Sequence, residues 1–149
     1  MQTTKQLSVT LVNKPGRLAK LLDALGKEKI NFRALAVMDS TERGTLRFIP
    51  DDFDAATEVL EKANVRFDVT EVLLVEVPNQ SGGFRKICEK LAAEHLNIDY
   101  AYTACALGRA KGGMLAVIRV NDLAKAQRVL SENGTTTRRK PGRRPVHAR

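Results

Sequence analysis

Near the start of the chain, Leu7, Val9 and Leu11 alternate with Ser8 and Thr10, the period-two pattern of a half-buried strand. Leu18, Leu21, Leu22 and Leu25 then fall at i, i+3, i+4 and i+7, which predicts an amphipathic helix. Phe32 to Met38 and Thr45 to Ile49 read as two further strands joined by a turn that contains Gly44. Asp51-Asp52 supplies N-cap chemistry for a second helix with Ala56, Val59, Leu60 and Ala63 on its apolar face. Val65, Phe67 and Val69 alternate again as a fourth strand. The order is βαββαβ, the ferredoxin-like split βαβ arrangement of an α+β fold, with two helices on one face of an antiparallel sheet.

The same pattern returns. An offset of 66 residues carries Asn13-Lys14-Pro15-Gly16-Arg17-Leu18 onto Asn79-Gln80-Ser81-Gly82-Gly83-Phe84, and Leu7, Val9 and Leu11 onto Leu73, Val75 and Val77. It carries the first helical face onto Phe84, Ile87, Cys88 and Leu91, and Ile30-Asn31-Phe32 onto Leu96-Asn97-Ile98. After a longer turn with Gly112-Gly113, Met114 to Val120 reads as a strand, and Asn121-Asp122 opens a helix with Ala126, Val129 and Leu130. The chain therefore divides into a first module at 1–70, a second at 71–134 and a tail at 135–149. A unit this small is marginal alone, and with no linker between them the copies are expected to dock through sheet edges or helices. The second copy lacks an obvious fourth strand. Thr135 to Thr137 could form a short one, or a partner chain could cover the edge.

The net charge of +8 would suggest nucleic acid if it were spread over the body. Six of those charges, Arg138, Arg139, Lys140, Arg143, Arg144 and Arg149, lie in the tail, leaving +2 for residues 1–134. The tail has one sizeable apolar residue, Val146, and reads as disordered; contact with nucleic acid or an acidic partner is expected only through it. No apolar stretch approaches membrane-spanning length and no leader pattern is present, so a soluble, cytoplasmic protein is expected. Cys88 and Cys105 have neither disulfide-framework nor metal-ligand spacing. His95 and His147 have no catalytic context, and no phosphate loop, zinc motif or nucleophile elbow appears, so a catalytic site, a metal and a cofactor are not expected. Arg43 to Ile49 echoes an RNA-binding strand motif but offers one aromatic where several are needed.

The segment from Val12 to Ala19 and the Asn31 and Asn97 positions, found twice at the same spacing, resemble the ACT domain, a family of small regulatory modules that mostly bind amino acids. The resemblance covers residues 5–134 and is to small proteins built of two ACT modules without a catalytic domain. Ser81 departs from it where proline is usual. It implies a non-enzymatic sensor whose ligand, a small molecule of the free amino acid class, binds between the modules, and it allows a homo-oligomer.

The residues agree with that implication. A helix N-terminus offers unpaired N–H groups and a positive dipole end to a carboxylate, and Gly16, Arg17 and Leu18, and again Gly82, Gly83 and Phe84, stand at such a place. Asn13 and Asn79 can each donate and accept. Head-to-tail pairing of the modules would bring Asn13 toward Asn97 and Asn79 toward Asn31, giving two related sites. The alternative is that Asn13 and Asn79 cap the first helices while Asn31 and Asn97 shape the turn before the second strand. A structural or assembly role without ligand is the rival from another class.

Overall fold

The computed structural model describes residues 2–12, 14–39, 42–78, 80–105 and 114–136. Along the chain these form β1 (Gln2–Val12), α1 (Arg17–Lys27), β2 (Phe32–Asp39), β3 (Arg43–Pro50), α2 (Phe53–Lys62), β4 (Phe67–Val77), α3 (Gly83–Ala93), β5 (Ile98–Cys105), β6 (Met114–Val120) and α4 (Leu123–Thr136). Each repeat is thus βαββα, and the six strands make one antiparallel sheet in the order β2-β3-β1-β4-β6-β5.

The centre of that sheet is the ladder between the two first strands. β1 and β4 pair from Gln2↔Leu74 to Val9↔Phe67, and Lys5 stands opposite Glu71. The repeat offset maps Lys5 onto Glu71, so a pseudo-two-fold axis passes between them, perpendicular to the sheet. Each strand is 11 residues long, roughly twice the usual strand. β4 therefore does two jobs. Its first residues, Phe67 to Val69, lie against Val9 to Leu7 as the fourth strand of the first module, and its later residues are the first strand of the second.

The second module is completed in the same way. Gln2 to Thr4 lie against Leu74 to Val72, in the place where that module's fourth strand would run. The expectation of a strand at Thr135 to Thr137 is corrected on its described part: Thr135 and Thr136 end α4, and Thr137 lies outside the described residues. No separate strand is needed there, because β1 already satisfies the β4 edge. The tail proper, 137–149, also lies outside the described residues.

Both helix pairs lie on one face. Leu7 and Val9 pack with Leu21, Leu25, Leu46, Phe48 and Leu60 beneath α1 and α2. Leu73, Val75 and Val77 pack with Leu91, Ile118 and Ala126 beneath α3 and α4. Leu7 is directly opposite Val69, and Thr3 opposite Leu73, so the two sets share a side of the sheet. Burial of each such Leu or Ile stabilises by about 1.5–3 kcal/mol. The second helices begin where the sequence indicates: Ala55 N–H donates to Asp52 Oδ1 at 3.1 Å and Lys125 N–H to Asp122 Oδ1 at 3.1 Å.

The helix-free face is not open. The sheet curls until its two edge strands, β2 and β5, approach each other. A register shift between Phe32 and Ala34, and its repeat between Ile98 and Tyr100, bends each edge strand at the same place. Ala34, Ile49, Val72, Leu74 and Val117 are buried on this inner face, with Tyr102, Ala104 and Leu115 against them. Gln6, also fully buried, is the one polar residue in the buried set among the described residues.

α1 and α3 end in residues with left-handed backbone, Lys29 at φ 56° and His95 at φ 56°, where a side chain is strained and glycine is not. Lys29→Gly and His95→Gly are each expected to stabilise the protein by about 0.5–1 kcal/mol, read as a rise in the urea midpoint without change in slope.

Candidate functional site

The β1–α1 connection is built by a glycine. Gly16, the N-cap of α1, has φ 84° and, as a glycine, brings no side chain of its own to cap the helix. Its mate Gly82 has φ 80° at the start of α3 and likewise brings none. The N-cap position itself is therefore held by a glycine in both copies. Asn13 and Asn79 themselves lie outside the described residues, and so does any pairing of theirs with Asn97 or Asn31.

In the first module the start of α1 opens on a hollow of about 90 Å³, lined by Leu11, Val12, Lys14, Arg17, Leu18, Val37, Gly44, Thr45 and Leu46. Two of the residues that the sequence motif singles out, Arg17 and Leu18, line it. The motif does not single out Lys14, although that residue sits within it; Val37 and Thr45 come from β2 and β3 and could not be placed there without the fold. Arg17 and Lys14 are exposed cations at the positive end of a helix, above apolar walls. All of these residues belong to the first copy.

The second copy does not repeat the hollow's chemistry. Gln80 stands where Lys14 does and Gly83 where Arg17 does. Gly83 is buried, and a Cβ on it would sit 2.6 Å from the Pro78 carbonyl oxygen, so this glycine lets α3 close on the end of β4. Phe84 packs into the core of its module. A Cβ on Gly82 would meet the Arg85 guanidinium at 3.2 Å. These residues serve conformation and packing.

Asn31 and Asn97 have a common structural task. Asn31 N–H donates to Asp51 Oδ1 at 3.0 Å while Asp51 N–H donates to the Asn31 carbonyl at 3.0 Å. Asn97 N–H donates to Asn121 Oδ1 at 3.0 Å, and Asn121 N–H returns the bond to the Asn97 carbonyl at 3.2 Å. Each pair clamps the start of an edge strand to the corner that begins the module's second helix. The side chains stay exposed; the Asn97 amide donates to Asp99 Oδ1 at 3.1 Å.

A polar cluster on the inner face has no signature in the sequence. Gln6 Nε2 donates to the Tyr100 hydroxyl at 2.6 Å, and the Tyr102 hydroxyl donates to Gln6 Oε1 at 2.7 Å. Burial pushes the Tyr102 hydroxyl well above the ordinary tyrosine value, with Tyr100 adding to the rise and Arg47 opposing it. Alternation along β1 marks Gln6 as solvent-facing; only the curl turns that side inward. Elsewhere, Cys88 is half-buried on α3, its thiol raised chiefly by desolvation. Among the described residues no group of His, Cys, Asp and Glu could hold a metal ion, and no helix is long and apolar enough to cross a membrane.

Two βαββα units sharing one antiparallel sheet, each with a glycine-built loop leading into its first helix, define a paired ferredoxin-like protein of the small-module kind. The chain belongs to the ACT domain pair family, whose profile matches residues 2–137. A solved structure of the protein BT0572 from Bacteroides thetaiotaomicron is 33% identical, with 89% of each chain covered and a TM-score of 0.82. The regulatory subunit of aspartate kinase from Thermus thermophilus, in its ligand-free form, is 18% identical over 86% of this chain and 90% of its own, with a TM-score of 0.60. The corresponding subunit from Thermus flavus is 16% identical over 92% and 97%, also with a TM-score of 0.60. At those identities the two subunits share the fold with this chain. A search of curated protein sequences returned no match.

Gly83→Ala is expected to destabilise by about 2 kcal/mol or more, because backbone must move. Gly16→Ala, with open space around it, should cost only the left-handed strain, about 1–2 kcal/mol. Urea unfolding of both variants checks the order. Tyr102 holds its proton more tightly folded than unfolded, so the stability it contributes is present below pH 10 and is lost as pH rises beyond that. Ultraviolet titration should show Tyr102 un-ionised past pH 10 and titrating normally in urea.

Proposed function

We propose that this chain is a non-enzymatic regulatory protein that binds a free amino acid at the start of α1. The observation that carries the reading is the hollow itself: two cations and the N-terminus of α1 stand at one side of an apolar recess. That arrangement matches a carboxylate next to an aliphatic side chain. The family supports it, and so does the name of its structural likenesses as regulatory subunits. In this reading Asn13, which follows Val12 in the chain, serves the ligand's ammonium group, and a contribution from the second copy would come through Asn97. The first copy is the competent one, since the second has Gln80 and Gly83 in place of the cations.

A second reading, assembly without ligand, is favoured by Leu35 and Val37, which are 41% and 55% exposed on β2. A thermal-shift screen against the free amino acids separates the two. Binding at a hundred times the dissociation constant adds about 2.7 kcal/mol, a rise of about 5–10 °C for a chain of this size. Arg17→Ala is expected to weaken that response about tenfold or more, and Asn13→Ala and Asn97→Ala to weaken it together if both copies contribute. Silence toward every amino acid, with concentration-dependent self-association by light scattering, would favour assembly.

A further inference from the structure

The inner face of the curled sheet is chemically lopsided. On one side of the pseudo-two-fold axis stand Gln6, Ser8, Arg47, Tyr100 and Tyr102. Their mates across the axis, by the strand registers, are Val72, Leu74, Val117, Ala34 and Ala36. Val72 and Val117 are fully buried, so the fold closes around aliphatic side chains at these positions without difficulty. The polar set is not something the architecture requires.

Within that set the cation has no counter-charge. Arg47 lies half-buried with its Cζ 4.1 Å above the centroid of the Tyr100 ring, and its Nη1 approaches Met38 Sδ at 2.8 Å. Its Nε is shut away from solvent without an acceptor. The ion pairs Lys27–Asp23, Lys62–Glu58 and Arg85–Glu89 join neighbouring helix turns on the surface and do not involve Arg47. Thioether sulfur is a weak acceptor, so the guanidinium's strong donors are largely uncommitted. Next to it, the Tyr100 hydroxyl accepts from Gln6 and keeps its own proton to give. A planar cation resting on an aromatic ring, with a free phenol proton beside it and no carboxylate bonded to it, is a receptor for an oxyanion.

We propose that the Arg47–Tyr100–Gln6 cluster on the inner face of the curled sheet binds the oxyanion group, carboxylate or phosphate, of a small molecule. This site is separate from the hollow at α1 and does not depend on it. Arg47 pairs with the anion, the Tyr100 hydroxyl donates to it, and Gln6, held in turn by Tyr102, fixes the Tyr100 oxygen.

The chain contains two tyrosines and no tryptophan, and both tyrosines are in the cluster, so intrinsic emission reports on this site alone. The experiment titrates the full chain with sodium phosphate and with sodium acetate, against sodium chloride at matched ionic strength. A saturable change with phosphate, with acetate or with both, and none with chloride, supports the proposal and tells which chemistry is recognised. Arg47→Leu, which follows the aliphatic character of its mate Val117, should stay folded by circular dichroism and lose the response. Tyr100→Phe keeps the ring under the guanidinium and removes the hydroxyl, and should weaken binding about tenfold, read from Tyr102 emission. Arg17→Ala should leave the response unchanged, which separates this site from the one at α1. No saturable response to either oxyanion, or an undiminished one in Arg47→Leu or Tyr100→Phe, overturns the proposal.

Discussion

The antiparallel ladder between β1 and β4 is the constraint from which the rest follows. Eight successive residue pairs, Lys5 with Glu71 among them, fuse two small units that would each be left with an unpaired strand edge. A ferredoxin-like module needs four strands, and here each copy brings three. The fourth place is filled reciprocally, because each first strand is long enough to serve its own module with one half and its neighbour with the other. Backbone hydrogen bonds that would otherwise face water are thereby satisfied within one sheet, and four helices can cover a single continuous face.

Curling is the second consequence. A six-stranded sheet covered on one side only would leave its other side wet, as antiparallel sheets often do. The matching bends at Phe32–Ala34 and Ile98–Tyr100 instead roll the edge strands toward each other, so that residues on both sides of the sheet are buried. Hydrogen bonds between the β5 tyrosines and Gln6 on β1, three strands away in the sheet order, are possible only in that rolled form.

Much of this is legible in the chain. The helical faces, the Asp52 and Asp122 caps and the repeat offset are local patterns, and local patterns survive into the structure. Val65 to Val69 and Leu73 to Val77 read as two strands when each module is assumed to carry its own fourth strand; a strand shared between modules has no local signature. The inner face is illegible for the same reason. Alternation assigns Gln6, Arg47 and Tyr102 to one side of their strands, but whether that side meets water depends on curvature, which the pattern does not encode. At the candidate site, the loop motif points to Arg17 and Leu18 but gives equal weight to Gly83 and Phe84. The second pair is explained by a close backbone approach to Pro78 and by core packing, which depend on contacts between elements.

The pseudo-two-fold axis also bears on how such a chain diverges. A single half, associating with an identical copy through the same ladder, would be obliged to place every substitution twice, so an inner face could carry two polar clusters or none. Joining the halves in one polypeptide lifts that obligation. One side is then free to keep the aliphatic filling that holds the sheet closed while the other exchanges it for a guanidinium, an amide and two phenols, and asymmetry becomes available to an architecture whose backbone remains symmetric.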